Sequence, residues 1–314
     1  MLKGKSVLGT KKLNLDEINL IFYTAKKFKE LCKEDDKKIP LLRGRTIINL
    51  FFENSTRTRS SFEIAGKRLG ADVINMTVAT SSIKKGESLM DTAKTLNAMN
   101  ADLYAIRHSM AGSVNMFGKY VEGSIINAGD GANEHPTQAL LDAYTILENK
   151  ETIKGLKIAI VGDVINSRVA RSNIYLLQTL GAEITLVGPE TLVPKYFEEL
   201  GVKVTDNLDG ILEEIDVINL LRLQLERQTE SFFPSIDEYH KLFGMTPDRI
   251  KKMKDDAIIL HPGPMNRGVE IAFDVADCDK QVILDQVENG VAIRMALLYL
   301  ILKGGDINED ITKL

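Results

Sequence analysis

Thr46-Ile47-Ile48-Asn49-Leu50-Phe51-Phe52 runs directly into Glu53-Asn54-Ser55-Thr56-Arg57-Thr58-Arg59. The first seven residues are an almost unbroken apolar run and read as a buried strand, Thr46–Phe52. After the polar stretch, Phe62, Ala65, Gly66 and Leu69 recur at helical spacing. The segment is therefore strand, short turn, helix start. Hydroxyls of Ser55, Thr56 and Thr58 and the guanidinium groups of Arg57 and Arg59 crowd that helix start. Backbone N–H groups, the positive end of the helix dipole and bidentate Arg donors converge there, which suits a phosphate. A plainer reading is a Ser or Thr helix cap with arginines on a solvated face. Similar polar clusters after other strand-like runs weigh toward the binding reading.

Short apolar runs alternate with helical patterns along the whole chain, which predicts α/β architecture with parallel sheets. Further strands are expected at Asp72–Met76, Leu103–Arg107 and Ser124–Asn127. A helix beginning near His135-Pro136 carries Leu140, Ala143 and Leu147 on one face, with Pro suited to a first turn. The polar stretch Glu148 to Gly155 is the expected boundary. A second set of strands follows at Lys157–Val161, Glu183–Val187, Val202–Val204, Asp216–Leu221 and Ala257–Leu260. A last helix, from about Gln286 to Lys303, shows Val291, Met295, Leu298 and Leu302 along one stripe. The expected fold is two domains, each a mainly parallel sheet flanked by helices. The first spans residues 1–148, with a C-terminal helix of about residues 286–314 packing back on it; the second spans 149–285.

With 314 residues the chain is long enough for two domains. Its 44% hydrophobic and 27% charged content is ordinary for a globular protein. A net charge of −4 argues against a general nucleic-acid binder, so any anion site must come from local focusing of Arg and Lys. Two cysteines, Cys32 and Cys278, make a disulfide framework a poor reading. His108, His135, His240 and His261 show no paired metal spacing, and no metal is expected. Residues 1–15 lack the apolar core of a secretory signal, and no run is long enough to span a membrane. A cytoplasmic chain with no membrane partner is the expectation.

In open α/β sheets, ligands bind at the carboxyl ends of strands. Those ends carry Ser55–Arg59, Arg107-His108, His135-Pro136-Thr137-Gln138, Gly162-Asp163, Arg222-Leu223-Gln224 and His261-Pro262-Gly263-Pro264. Ile158-Ala159-Ile160-Val161-Gly162-Asp163 looks like the first strand of a dinucleotide fold. Val164 and Ser167 stand where the glycines of that fingerprint are needed, which argues against a nucleotide cofactor. Gly4-Lys5-Ser6 lacks the upstream glycine and strand of a P-loop. The loop Thr80 to Glu87, with Lys84 and Lys85, reads as solvated surface or as a lid bringing ammonium groups to an anion. His135 could cap its helix or donate to a developing oxyanion, and Gln138, one turn on, could read an amide. Arg168 and Arg171 open a helix against its dipole, which hints at an anionic ligand or an internal ion pair. Alternation would put Arg222, Gln224 and Glu226 on one side of their segment.

Together these segments resemble the aspartate/ornithine carbamoyltransferase family over nearly the whole chain, in order. The resemblance rests on Phe51 to Arg59, the Ser81 to Glu87 loop, Arg107-His108, His135 to Asp142, Gly162-Asp163 with Ser167 to Ser172, Arg222 to Arg227, and His261 to Arg267. The Ser55–Arg59 and His135–Gln138 motifs are common to the family. Arg222-x-Gln224-x-x-Arg227 and the His261 to Gly268 segment point to its aspartate branch, since an ornithine enzyme is expected to carry Cys where Pro262 stands.

The resemblance implies transfer of the carbamoyl group of carbamoyl phosphate to the amino group of L-aspartate, a step of de novo pyrimidine biosynthesis, with no cofactor. It implies that Ser55, Thr56, Arg57 and Thr58 hold the phosphate. Thr58, Arg107 and His135 would approach the carbonyl oxygen; Gln138 and the Gly263–Pro264 segment would hold the amino group. Arg168, Arg222 and Gln224, with Lys85, would bind aspartate. Ser81 and Lys85 are expected to come from a neighbouring subunit of a homotrimer. Gly263 departs from members that carry Leu there. The resemblance leaves open attached regulatory chains or another pathway enzyme. A different amine acceptor, or a non-catalytic anion-binding scaffold of the same fold, are the rival readings.

Overall fold

Two parallel sheets organise the chain. The computed structural model describes residues 2–34, 37–77, 87–223 and 235–312. Packing divides it into two compact units, Met1–Leu141 with Val287–Leu314, and Asp142–Gln286.

The first unit opens with helix α1 (Leu15–Leu31), closed at its start by a capping box between Asn14 and Glu17. Strands β1 (Thr46–Phe51), β2 (Asp72–Thr77), β3 (Leu103–His108) and β4 (Ser124–Asp130) then form a parallel sheet of order β2-β1-β3-β4. Helices α2 (Thr56–Arg68), α3 (Leu89–Asn97) and α4 (Ser113–Phe117) connect them. β1 is central and buried from Ile47 to Phe51, which is why it reads as a continuous apolar run rather than an alternating one. α2 buries Phe62 and Ala65 completely, and a Cβ at Gly66 would come within 2.6 Å of the Val73 Cγ2. Glycine there lets the helix lie close on the sheet. Full burial of Phe62 alone is worth about 2–3 kcal/mol. The outer edge of β4 is covered by the N-terminal segment: Val7 N–H donates to Ile125 O at 2.7 Å, and Asn127 N–H to Val7 O at 2.9 Å.

Strand order reverses between β1 and β3. At such a switch the two chains leave the sheet in opposite directions and the carboxyl ends open a crevice. Phe51 pairs with Arg107 in register, so the loop after β1 and the end of β3 share that edge.

Helix α5 (Pro136–Lys150) carries the chain onward, and the division between units falls inside it, at Leu141/Asp142. The buried Asp142 carboxylate explains this. It accepts from Asn173 Nδ2 at 2.8 Å and Gln286 Nε2 at 2.7 Å, both residues of the second unit. The polar stretch Glu148–Gly155 lies at the end of that helix.

The second unit contains β5 (Lys157–Val161), β6 (Glu183–Val187), β7 (Lys203–Thr205), β8 (Val217–Leu220) and β9 (Ile258–Leu260), in the parallel order β7-β6-β5-β8-β9. Its helices include α6 (Arg168–Thr179), a 3₁₀ turn at Lys195–Leu200, α7 (Ile236–Phe243) and α8 (Pro247–Ile250). Here the order reverses between β5 and β8. The sheet strands fall where the apolar runs put them, with ends displaced by a residue or so; β4 runs on to Asp130 instead of stopping at Asn127.

The long helix α9 (Ile283–Leu302) belongs to the first unit from Val287 on. It stops before Gly304 and Gly305, at φ of 66° and 103°, and the short α10 (Ile307–Thr312) follows. α9 ends within a residue of the Lys303 expected for the last helix, and the segment expected to carry helix on to about residue 314 breaks into a second, short helix. Among the described residues, no helix is long and apolar enough to cross a membrane.

In the second unit, Arg249 closes the end of α7 by donating to the carbonyls of Lys241, Leu242 and Gly244. Asp209 holds that guanidinium at 2.8 Å, and Lys252 at 2.9 Å. The Arg249 hydrogen bond, followed by that from Lys252, lowers the Asp209 carboxyl from 3.8 to about 2. A depressed folded-state value means the tie contributes fully above the unfolded value and is lost as pH falls through about 2. Asp209→Asn should therefore melt below the parent at neutral pH, and thermal scans should show the gap closing as pH falls toward about 2. A gap independent of pH would rule out this ion pair as its source.

Candidate active site

The β1–α2 turn delivers Ser55 to the start of α2. Ser55 occupies the cap position with φ −158° and ψ 87°, yet its side chain makes no capping hydrogen bond, and the first turn carries no acidic residue. The simple cap reading is therefore not what the structure adopts. The first-turn amides are left uncovered by the one side chain placed to cap them, at the carboxyl edge of a buried strand. Thr58 is buried against the unit, while Thr56 and Arg57 are exposed. Hydroxyl, amides and guanidinium thus present one donor-rich surface suited to a phosphate.

Arg107, the penultimate residue of β3, lies on the same sheet edge as this helix start. Its Nε lies 3.2 Å from a Glu53 carboxylate oxygen and its Nη1 donates to Ala128 O at 3.4 Å. Glu53, in the loop after β1, neutralises and aims that guanidinium. Next to it, His108 packs against Phe52 with ring centres 4.6 Å apart and planes tilted by 49°, and accepts from Met110 N–H at its Nδ1. Burial pushes the His108 imidazole below its ordinary value, against an opposing pull from Glu53 and Asp130.

His135 and Gln138 sit at the start of α5, both buried. Two carboxylates build the loop that brings them there. Asp130, at 1% exposure, accepts from Gly112 N, Asn127 Nδ2, Asn133 Nδ2 and Glu134 N at 2.7–3.2 Å. Glu134 accepts from the backbone N–H and the hydroxyl of Thr10 at 2.6 and 2.9 Å, tying the loop to the N-terminal segment. His135 offers its carbonyl to the amides of Gln138 and Ala139, and its Nδ1 lies 3.5 Å from the Thr137 hydroxyl.

In the second unit, the strand ends at the switch between β5 and β8 carry the other candidates. After β5, Gly162 has φ 125°, a conformation that favours glycine, and a Cβ there would sit tightly, 3.0 Å from the Tyr239 hydroxyl and 3.1 Å from Leu221 O. Asp163 closes the turn by accepting from the Asn166 side chain at 3.0 Å. A side-chain-closed turn stands where a dinucleotide fold needs glycines. Ser167 caps α6, and Arg168, 3% exposed, is its first residue. Arg222 follows β8 and is half-buried.

The late loop is held by a buried pair that sequence reading did not single out. His261 Nδ1 accepts from Gly263 N–H at 2.8 Å, which leaves Nε2 to donate to Glu270 Oε1 at 3.0 Å. The same oxygen accepts from Asn266 N–H at 2.6 Å, while Gln286 Oε1 accepts from His261 N–H at 2.9 Å. The Asn266 side chain reaches Leu223 O at 3.4 Å, next to Arg222. Gly263 has φ 60°, a conformation that favours glycine, which accounts for its presence here.

The structure thus brings Ser55, Thr56, Arg57, Thr58, Arg107, His135 and Gln138 into the first unit and places Arg168, Arg222, Gly263 and Pro264 in the second. Ser81, Lys85 and Gln224 lie outside the described residues. Glu53, Asp130, Glu134, His261 and Glu270 were missed as supports. A carboxylate inside a cationic motif signals Glu53 as a partner. The others pair across loops, where no periodicity points to them.

Residues 5–148 match the family model of the aspartate/ornithine carbamoyltransferase carbamoyl-P binding domain, and residues 154–301 that of the Asp/Orn binding domain. The chain is similar to the aspartate carbamoyltransferase catalytic subunit of Syntrophotalea carbinolica, 54% identical over 306 residues, 98% of this chain and 97% of that one. The subunit of the same name from Halothermothrix orenii is 54% identical, with 98% of each covered. Among solved structures it resembles aspartate transcarbamoylase from Trypanosoma cruzi in complex with carbamoyl phosphate and aspartate (TM-score 0.84, 31% identity, 96% of this chain and 98% of that one). It also resembles ornithine carbamoyltransferase from Pyrococcus furiosus (TM-score 0.86, 31% identity, 97% and 99%).

Replacing Glu270 by Ala leaves a buried donor, His261 Nε2–H, and a half-buried one, Asn266 N–H, without their acceptor. The expected loss is roughly 2–5 kcal/mol of unfolding free energy, read by urea denaturation. A loss under about 0.5 kcal/mol would mean the loop is held elsewhere.

Proposed function

The chain belongs to the aspartate/ornithine carbamoyltransferase family, and we infer that it transfers the carbamoyl group of carbamoyl phosphate to the α-amino group of L-aspartate, giving N-carbamoyl-L-aspartate and phosphate. The observation that carries the donor half is the start of α2, where Ser55 leaves the first turn uncapped and Arg57 adds a guanidinium. The acceptor half rests on the aspartate relatives and on Arg168 and Arg222, which suit a dicarboxylate and repel a cationic amine. The overall fold does not choose the acceptor, because it is shared with an ornithine enzyme.

The chemistry follows from the donors. The neutral amine of aspartate adds its lone pair to the carbamoyl carbon, and the carbonyl π electrons move onto oxygen. Thr58, Arg107 and His135 are the donors for that oxyanion; each well-aimed donor of this kind is commonly worth about 3–4 kcal/mol. Glu53 holds Arg107 for this task. Gln138, with the Gly263–Pro264 segment, orients the carbamoyl amino group. The intermediate collapses as the carbon–oxygen bond to phosphorus breaks. Phosphate leaves with the electron pair, stabilised by Ser55, Thr56, Arg57, Lys85 and the α2 amides. The departing phosphate takes the proton released by the amine. No protein nucleophile enters, and much of the rate comes from holding two mutually repelling anions for attack.

The assembly that accords with this reading is a cytoplasmic homotrimer with Ser81 and Lys85 supplied by a neighbour, acting in de novo pyrimidine biosynthesis. The family resemblance supports it. Sedimentation should give three times the 34.9 kDa chain mass; an active monomer would contradict shared sites.

The test of the activity is a paired assay. Purified chain is given carbamoyl phosphate with either L-aspartate or L-ornithine, and the ureido product is scored. Product with aspartate alone is expected. Product with ornithine alone would keep the donor half and overturn the acceptor half. Folded protein that binds carbamoyl phosphate but yields neither product would overturn the enzymatic reading.

A further inference from the structure

Helix α9 contributes no group to the chemistry above, yet it carries Arg294, a guanidinium only 3% exposed. Burying a cation is costly unless its donors are used. Nη1 donates to Ser61 Oγ at 3.0 Å and to Gly290 O at 2.9 Å, and Nη2 donates to Thr137 Oγ1 at 3.2 Å. The guanidinium also lies 5.1 Å from the centre of the Phe62 ring.

These contacts are placed where the reaction needs them. Ser61 is one turn after Thr58 on α2. Thr137 stands between His135 and Gln138 at the start of α5. Thr58 and His135 donate to the same carbonyl oxygen but come from separate helices. Each helix can fix its own residue; neither can fix the distance between them. Two oxyanion donors must hold their mutual placement to within about 0.5 Å.

Thr137 adds a second effect. Its oxygen accepts from Arg294, and a hydroxyl that accepts from a cation becomes a stronger donor. The hydrogen it has left to give is within reach of His135 Nδ1, 3.5 Å away. This is a long contact, of the kind that tightens when substrate binds. An imidazole that accepts at Nδ1 carries its proton on Nε2 and presents that N–H outward. We propose that Arg294 is a positioning residue, which clamps α2 to α5 and acts through the Thr137 hydroxyl to keep His135 in the Nε2–H tautomer that donates to the carbonyl oxygen. The proposal rests on the carbamoyl-transfer reading for what the His135 proton does, but the tautomer itself is measurable without turnover.

The test uses the full chain and the variants Thr137→Val, Thr137→Ser and Arg294→Met. Parent turnover of carbamoyl phosphate with aspartate is measured first, so that failure of the function is seen separately. Thr137→Val keeps the shape and removes the hydroxyl. Its kcat should fall about ten- to a hundredfold, in the range of lost supporting contacts, while KM for carbamoyl phosphate moves less than about threefold. Nitrogen-15 NMR of His135 should show the parent protonated at Nε2 and the Val variant a mixture of tautomers. Thr137→Ser should restore both readouts. Arg294→Met should match Thr137→Val or do worse in kcat; if it fails to fold, Thr137→Val alone decides. A Val variant with parental kcat, or with His135 still wholly the Nε2–H tautomer, overturns the proposal. If the parent shows no turnover, the tautomer comparison decides by itself.

Discussion

The structure depends on one polar constraint, a helix that begins at the end of a buried strand without its cap. Backbone N–H groups at a helix start must find acceptors, and most chains supply one from a Ser, Thr, Asn or Asp side chain. Asn14, Ser88 and Ser167 do so for their helices, while Ser55 does not. The uncapped turn is cationic, because Arg57 and Arg59 stand at its start and its first turn carries no acidic residue of its own. An anionic ligand is then the natural acceptor. The surroundings are organised about that fact: Glu53 keeps Arg107 aimed without intruding, and Asp130 and Glu134 absorb the donors of the loop that presents His135.

Topology does the rest of the placing. Each sheet reverses its strand order once near its middle, and both reversals coincide with candidate residues. β1 and β3 lead to Ser55–Thr58 and Arg107; β5 and β8 lead to Arg168 and Arg222. Parallel strands need helices to return the chain, so the start of a helix lies near the end of each strand by construction. That is why cationic and hydroxyl side chains recur at matching places in the two units.

How much of this was legible in the chain varies with the range of the interaction. β1 announced itself because a strand buried on both faces is apolar throughout, and the Ser55–Arg59 cluster was visible as an oddity following it. The ends of β4, β8 and β9 were less legible, since pairing and not composition decides where a strand stops. The end of α9 was legible from its apolar stripe, which stops at Leu302 before Gly304-Gly305, whereas the short polar α10 carries no such stripe. His261 was visible as a strand-end residue, but its bond to Glu270 was not, and Arg294 and Glu270 gave no usable signal: their partners are far away in sequence or across an irregular loop, and a buried Arg in an apolar helix looks like any charged residue until the fold supplies Ser61 and Thr137. The acceptor preference lies in side chains, not in the architecture, which an aspartate and an ornithine enzyme share.

The central claim is that an anion takes the place of the missing cap at α2. A crystal structure of the chain with carbamoyl phosphate tests it directly. The account predicts phosphate oxygens within hydrogen-bond distance of the Thr56–Thr58 amides and the Ser55 hydroxyl, with the carbonyl oxygen toward Thr58, Arg107 and His135. A bound carbamoyl phosphate seated elsewhere, with Ser55 turned to cap its own helix, would contradict it.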